Sequence, residues 1–230
     1  MAEGRRHYDL RMRLRRSTLV LASTTVLLGA CSASSTGPPD SSGMTANSLT
    51  SETAPSRHAP RDRGPLDTAD LQGRWWTWAA SSEDDSNPVA DPDGSRCAED
   101  QPTDVWFLAG SFGERVTRTC TMPAAVPVAF PVVNYIGDAE SCDVFLSSAR
   151  GSAVLDDREL EPQRHDATIV TVSAVEGNPV TGSGGRFQTH ACGLWVQLEP
   201  LAPGNHELRI RGASGSLEIA VDYELQVRGT

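Results

Sequence analysis

The densest set of hard oxygen ligands lies between Asp84 and Glu99, where Asp84, Asp85, Asp91, Asp93 and Glu99 share a segment with Gly94 and two prolines. A Ca²⁺ ion takes six to eight oxygens, and carboxylates on a turn-rich loop could supply several of them. The D-P-D-G run at 91–94 does not complete an EF-hand loop, because the ligand spacing and the closing glutamate are missing. The expectation is a solvated acidic turn, with Asp91 and Asp93 as a weak Ca²⁺ candidate and no cofactor. Serine chemistry has no G-x-S-x-G to rest on; "AGSFG" and "GSGG" read as loop glycines. His165, His190 and His206 could join a triad built from distant segments, but His206 follows a turn and reads as its hydrogen-bonded closure. Asp156 and Asp157 are adjacent and would face opposite sides of a strand. A glycosidase pair faces one substrate across ~5–9 Å, so these two read as turn residues. No catalytic residue is assigned.

Five tryptophans offer a different kind of site. Trp106 and Trp195 stand inside apolar strands and read as core. Trp75, Trp76 and Trp78 fall on one predicted helix and cannot all face inward from it. At least one indole is therefore expected to be partly exposed, and Trp75 and Trp76 are the candidates for a ligand platform. An exposed indole could stack on a sugar or a peptide, or simply cover the end of the fold.

Cys31 ends the run "STLVLASTTVLLGAC", whose 14 apolar or small residues are preceded by "RRHYDLRMRLRR", six arginines with one acid. As a helix that run reaches only ~21 Å, short of a ~30 Å hydrocarbon core. A basic flank, a short apolar centre and small residues at the exit make a secretory signal peptide. The L-G-A-C ending resembles the bacterial lipobox. That resemblance implies cleavage before Cys31, a diacylated thiol and an acylated new N-terminus, and two or three acyl chains anchor stably. The leader is long, and Met12 offers an alternative start. The chain thus reads as a signal peptide at 1–30, an acylated cysteine and disordered tether at 31–65, and a folded domain at 66–230. The tether is rich in Ser, Thr, Pro and Gly and cannot bury enough surface to offset its ordering. Its r.m.s. reach is roughly 30–35 Å.

Without residues 1–30, fourteen basic residues face twenty-eight acids, a net charge of −14 against −10 for the whole chain. Every basic residue is arginine. This balance argues against nucleic acid and against a domain lying flat on an anionic membrane. The membrane is expected as a partner through the lipid alone. Cys97, Cys120, Cys142 and Cys192 form an even set, which in an exported domain reads as two disulfides with three connectivities. The favoured one is Cys97–Cys120 with Cys142–Cys192, the first closing a loop of ~24 residues worth roughly 3 kcal/mol. No C-x-x-C or His-x-His accompanies them, so zinc and thiol redox chemistry have little support.

Asp67 or Thr68 can cap one short helix at the domain's start, where Leu71, Trp75 and Trp78 fall three to four apart. Beyond it come short apolar strands at roughly ten-residue spacing with turn signals between them, including a hairpin at Asp156-Asp157 and the alternation of Leu217, Ile219 and Val221. The fold class is all-β, a sandwich or jelly roll with one N-terminal helix. The set "RWWTWA", "CAEDQ", "VWFLAGSFG", "RTCTMP", "FPVVN" and "APGNHELRIRG" resembles a recurrent family of exported bacterial all-β proteins, from Leu71 to Val227. The resemblance implies the all-β domain and the Cys97–Cys120 pair, and carries no activity. The expected function is a lipid-anchored, non-catalytic envelope protein that binds or scaffolds an extracytoplasmic ligand. The alternative is a glycan hydrolase using carboxylates of the acidic loop or hairpin.

Overall fold

The computed structural model describes residues 64–229. The predicted signal peptide, Cys31 and all but the last two tether residues lie outside the described residues. Helix α1, Thr68–Ala79, begins at a cap: the Asp67 carboxylate accepts the Asp70 amide at 2.9 Å, which satisfies a donor the first turn cannot. A long loop with one 3₁₀ turn at Asp84–Ser86 leads to three strands, β1 (Trp106–Phe107), β2 (Arg115–Pro123) and β3 (Val128–Gly137). Helix α2, Ala139–Ser148, follows, capped by Asp138 onto the Ser141 amide at 2.7 Å. The rest is strand: β4 (Arg150–Leu155), β5 (Arg158–Leu160), β6 (Gln163–Ala174), β7 (Gly185–Leu198), β8 (Gly204–Ser214) and β9 (Leu217–Arg228).

The strands form two sheets, ordered β1-β3-β7-β6 and β2-β9-β8-β4-β5. β1 runs parallel to β3 and β2 parallel to β9; the other neighbours are antiparallel. The domain is an all-β sandwich with a helix at its start, as the alternation predicts. Helix α2 is an addition. No Gly or Pro interrupts residues 138–150, and Cys142 and Leu146, four apart, make its buried stripe. Both disulfides form in the favoured connectivity, Cys97–Cys120 and Cys142–Cys192. Such bonds persist in oxidising, extracytoplasmic compartments.

Met122, Phe130, Ile210, Tyr223 and Leu225 pack between the sheets. The sheets approach closely at a bulge in β3, where the register shifts between Pro131 and Val133. Val132, the extra residue, presses on Gly151 and Gly212, which pair across β4 and β8. A Cβ on Gly212 would overlap the Val132 carbonyl, so only glycine fits.

The outer face of the four-stranded sheet carries a second core of Leu71, Trp75, Phe107, Val170 and Trp195, roofed by α1 and the loop after it. This third layer overturns the expectation that one indole is exposed. Trp75, Trp76 and Trp78 are only 2, 6 and 3 % exposed. Trp75 meets Trp195 edge to face at 5.7 Å on the sheet side. On the other flank the loop crosses the helix, where the Trp78 indole donates to the Glu99 carbonyl at 2.9 Å. A helix covered on two sides can bury three indoles, whereas a surface helix cannot.

The two long edge strands are also covered. Along β6, the Ser173 amide donates to the Thr77 hydroxyl at 3.2 Å, and just beyond it Val175 donates to the Ala80 carbonyl at 2.9 Å. Along β2, the Thr119 amide donates to the Asp93 carbonyl at 2.9 Å. The remaining edges, β1 and β5, are only two and three residues long. Short or covered edges leave little template for another chain.

Candidate functional site

The acidic loop is organised inward. Asp91 is 3 % exposed. Its Oδ1 accepts the amides of Asp93 at 3.2 Å and Gly94 at 3.0 Å, and its Oδ2 accepts that of Arg96 at 2.8 Å. Asp93 accepts the Ser95 amide at 3.0 Å, and hydrogen bonds from that amide and the Ser95 hydroxyl hold its carboxyl below the usual range. The reading of a solvated turn fits the exposed Asp84, Asp85, Asp93 and Glu99 and is corrected at Asp91, so Asp91 and Asp93 do not form a shared Ca²⁺ candidate. Asp91 is a buried loop organiser whose oxygens face amide protons and not a common centre. Asp84 and Asp85 lie exposed on the 3₁₀ turn, and Glu99 reaches only Arg96, at 4.0 Å. Among the described residues no group of three or more His, Cys, Asp or Glu could hold a metal.

Beneath this loop lies Arg118, which sequence reasoning missed. Its guanidinium donates from Nε to the Asp91 carbonyl at 2.7 Å, from Nη2 to Val89 at 2.9 Å, and from Nη1 to Gly110 at 2.8 Å and the Tyr223 hydroxyl at 3.0 Å. Charge-assisted bonds of this kind are roughly twice as strong as neutral ones. Gly94, at φ +96°, lies so close to β2 that a Cβ would overlap the Thr119 backbone, and Cys97–Cys120 fastens the same place. The signal was present: Arg118 falls in phase with Cys120 and Met122 on the buried face of β2.

The histidines occupy three separate places. His165 meets the Thr68 hydroxyl at 2.9 Å, and burial lowers its pKa, so it links β6 to α1 as a neutral ring. His190 sits in β7, in register with Ile169. His206 lies 2.6 Å from the Asp156 carboxylate through Nδ1 and 2.9 Å from the Ala202 carbonyl through Nε2. The Asp156 hydrogen bond, then that to Ala202, raise its pKa. For Asp156 burial pushes upward, but the bonds from His206 and the Glu207 amide together outweigh it, and the net shift is downward. A general base keeps one nitrogen for its nucleophile; both nitrogens of His206 are engaged. Asp156 and Asp157 form the β4–β5 turn at φ 49° and 62°, the left-handed pair that a two-residue hairpin demands.

Trp75 and Trp76 are not an open platform, yet both line a cleft of ≈170 Å³. The β3 bulge and Asn134 form one wall, and Leu217 and Ile219 of β9 lie beside it. Val180 comes from the β6–β7 loop, which Asn178 stiffens by accepting the Val180 and Thr181 amides at 3.0 and 2.8 Å. Phe112 lines the cleft and is 47 % exposed, which places it at the mouth. The Ser111 hydroxyl on the wall donates to the Glu114 carbonyl at 2.7 Å. Asn134 Nδ2 and Trp76 Nε1 are fully buried, with no acceptor among the described residues. Among the described residues the lining includes no Asp, Glu, His, Cys, Lys or Arg. A larger, open groove of ≈560 Å³ runs between α1 and β6 and is lined by Asp70, Arg74, Asp100 and Ile169. There Asp100 accepts the Ser81 hydroxyl at 3.0 Å, and Arg74 pairs with Asp104.

No protein-family model and no curated protein matches the chain. Among solved structures, the crystal structure of the cysteine protease inhibitor EhICP2 from Entamoeba histolytica aligns with 55 % of this chain and 99 % of its own. The identity is 12 % and the TM-score 0.26, a similarity too low to bear on fold or function.

Proposed function

We propose that this chain is an exported lipoprotein, held at the outer face of a bacterial cell membrane through Cys31, whose sandwich binds an envelope ligand without transforming it. The observation that carries the binding half is the cleft wall. It is aromatic and apolar with a few polar groups, the usual make-up of a ligand site, and it holds no side chain suited to proton transfer near neutral pH. The two disulfides support the address, and among the described residues no helix is long and apolar enough to cross a membrane.

Thermal-shift titration of the full chain with fractionated envelope components tests the binding half. A rise in Tm that disappears in Leu217→Trp, which fills the cleft, is the expected result; a rise that survives this change would put binding elsewhere. For the address, Cys31→Ser should leave the protein uncut or release it from the detergent-extracted fraction. Identical fractionation of variant and wild type would remove the anchor.

A hydrolase reading has one observation in its favour, namely that Asp70 and Asp100 share the groove along α1. It requires release of reducing ends from an envelope glycan by the wild type and loss of that release in Asp70→Asn. Against it, Trp78 in the same groove is too deeply buried to present a stacking face.

A further inference from the structure

The outer face of the five-stranded sheet carries an open hollow of ≈510 Å³, unlike the tryptophan cleft in its chemistry. Its shape follows from the register. Arg115 of β2, Ala220 of β9, Arg211 of β8 and Ser152 of β4 stand side by side in one row, and Arg150 of β4 stands opposite Ala213 in the next. Small residues make the floor: the two alanines, and Gly151 and Gly212, which Val132 requires to be glycine from the inner side. Arg115, Arg150 and Arg211 line it.

The charge there runs against the rest of the domain. Two of these arginines share one carboxylate: Asp222 pairs with Arg211 through Oδ1 and lies 3.6 Å from Arg115 through Oδ2. Arg150 has no ion-pair partner among the described residues and donates to the Ser148 carbonyl at 3.4 Å. Glu218 is the one acid on the wall. Three arginines against Asp222 and Glu218 leave a positive charge, whereas residues 31–230 together carry −14. Like charges gathered on neighbouring strands repel, and an oxyanion among them turns that repulsion into charge-assisted hydrogen bonds. A carboxylate offers two oxygens in one plane and suits a single guanidinium fork. Arginines on three different strands suit an anion with oxygens in three directions, which is a phosphate.

We infer that this hollow binds the phosphate group of a small phosphate monoester, held by Arg115, Arg150 and Arg211. Its volume falls within the about 300–1,000 Å³ of small-molecule sites, so the compound carrying the phosphate has room beside it. The surrounding acids repel an anionic membrane surface, which makes the source a soluble ester and not a lipid headgroup.

Calorimetric titration of the full chain with glycerol 3-phosphate, at fixed ionic strength, tests the site. Saturable binding at millimolar concentration is the expected result, with acetate and chloride binding far more weakly. Arg115→Gln and Arg150→Gln should each weaken glycerol 3-phosphate about 10-fold, the scale of one charge-assisted hydrogen bond. Arg209→Gln, on the same face but paired with Asp157 outside the hollow, should leave the affinity unchanged. Equal responses to the three anions, or an equal loss from Arg209→Gln, would reduce the effect to general screening and remove the site. Vesicles of phosphatidate in phosphatidylcholine, offered to the Cys31→Ser chain, address the source. Tighter binding to the vesicles than to glycerol 3-phosphate would overturn the soluble ester and put a lipid headgroup in its place. The comparison of anions needs only the wild-type chain, so it holds even where a variant does not fold.

Discussion

The acidic loop and the tryptophan cleft both adjoin α1 and the segment around Gly110, yet they are built by opposite means. In the loop, the buried Asp91 and Arg118 make at least three hydrogen bonds each. In the cleft, the wall is largely apolar and uncharged. A charge that is buried, as Asp91 and Arg118 are, must be fully satisfied, and satisfaction turns it into scaffold. The cleft carries no charge to attract notice. The charged region holds the structure, and the uncharged one encloses the open space.

The comparison breaks most readily at Arg118. Arg118→Met leaves the buried Val89, Asp91 and Gly110 carbonyls without their donor, and at about 1–3 kcal/mol for each unmatched acceptor should cost about 3 kcal/mol or more in urea unfolding. Phe112→Ala, at the cleft mouth, should stay within about 0.5 kcal/mol. Similar losses from the two would erase the contrast between scaffold and site.

A smaller effect is expected at Asp91. Asn in its place can no longer accept from three amides, and turning its NH₂ toward the Arg96 amide opposes donor to donor. The expected loss is about 1–3 kcal/mol. Because the wild-type oxygens already face amides, Ca²⁺, Mg²⁺ and NaCl at equal ionic strength should shift Tm alike, through screening. A Ca²⁺-specific shift abolished by Asp91→Asn would restore the metal site and reverse the lesson.

The smallest effect lies at His206 and Asp156, outside both regions, and it gauges what a polar pair is worth at the surface. His206 has its pKa raised above 6.5 and Asp156 has its own lowered below 3.8. The histidine's contribution is therefore full below its unfolded pKa and fades as pH rises through the raised folded value. The aspartate's is full above its unfolded pKa and fades as pH falls through the lowered one. The stability gap between wild type and His206→Gln should be widest near pH 5 and shrink above neutrality, staying under about 1 kcal/mol because solvent screens the pair. A gap that widens with rising pH would mean the imidazole is bound neutral.

Much of the fold was legible because its signals are local. Asp67 stands where α1 needs a cap, Asp156-Asp157 is a turn by composition, and Leu217, Ile219 and Val221 alternate with exposed or half-buried neighbours along β9. Helix α2 is only weakly marked: beyond the Asp138 cap and the Cys142–Leu146 spacing it buries just those two residues, and strands flank it on both sides. The site was hardly legible. Arg118 binds carbonyls 27 and 29 residues before it and a hydroxyl 105 residues after it, and no window of sequence contains such a set. The cleft joins α1, β3, β9 and three loops, so Trp75 and Trp76 could be nominated while Asn134, Phe112 and Val180 could not.

The parallel pairing of β2 with β9 has a further consequence, for the order in which the domain can form. Thr119 lies beside Glu224, more than a hundred residues along the chain, and β9 is the only strand between β2 and the rest of its sheet. A chain emerging from its N-terminus can cap α1 and close the β4–β5 turn early, but β2 has no seat until the final strand arrives. Contacts of such long separation slow folding. Until then Arg118 lacks Tyr223, and the acidic loop has no completed sheet to fasten to.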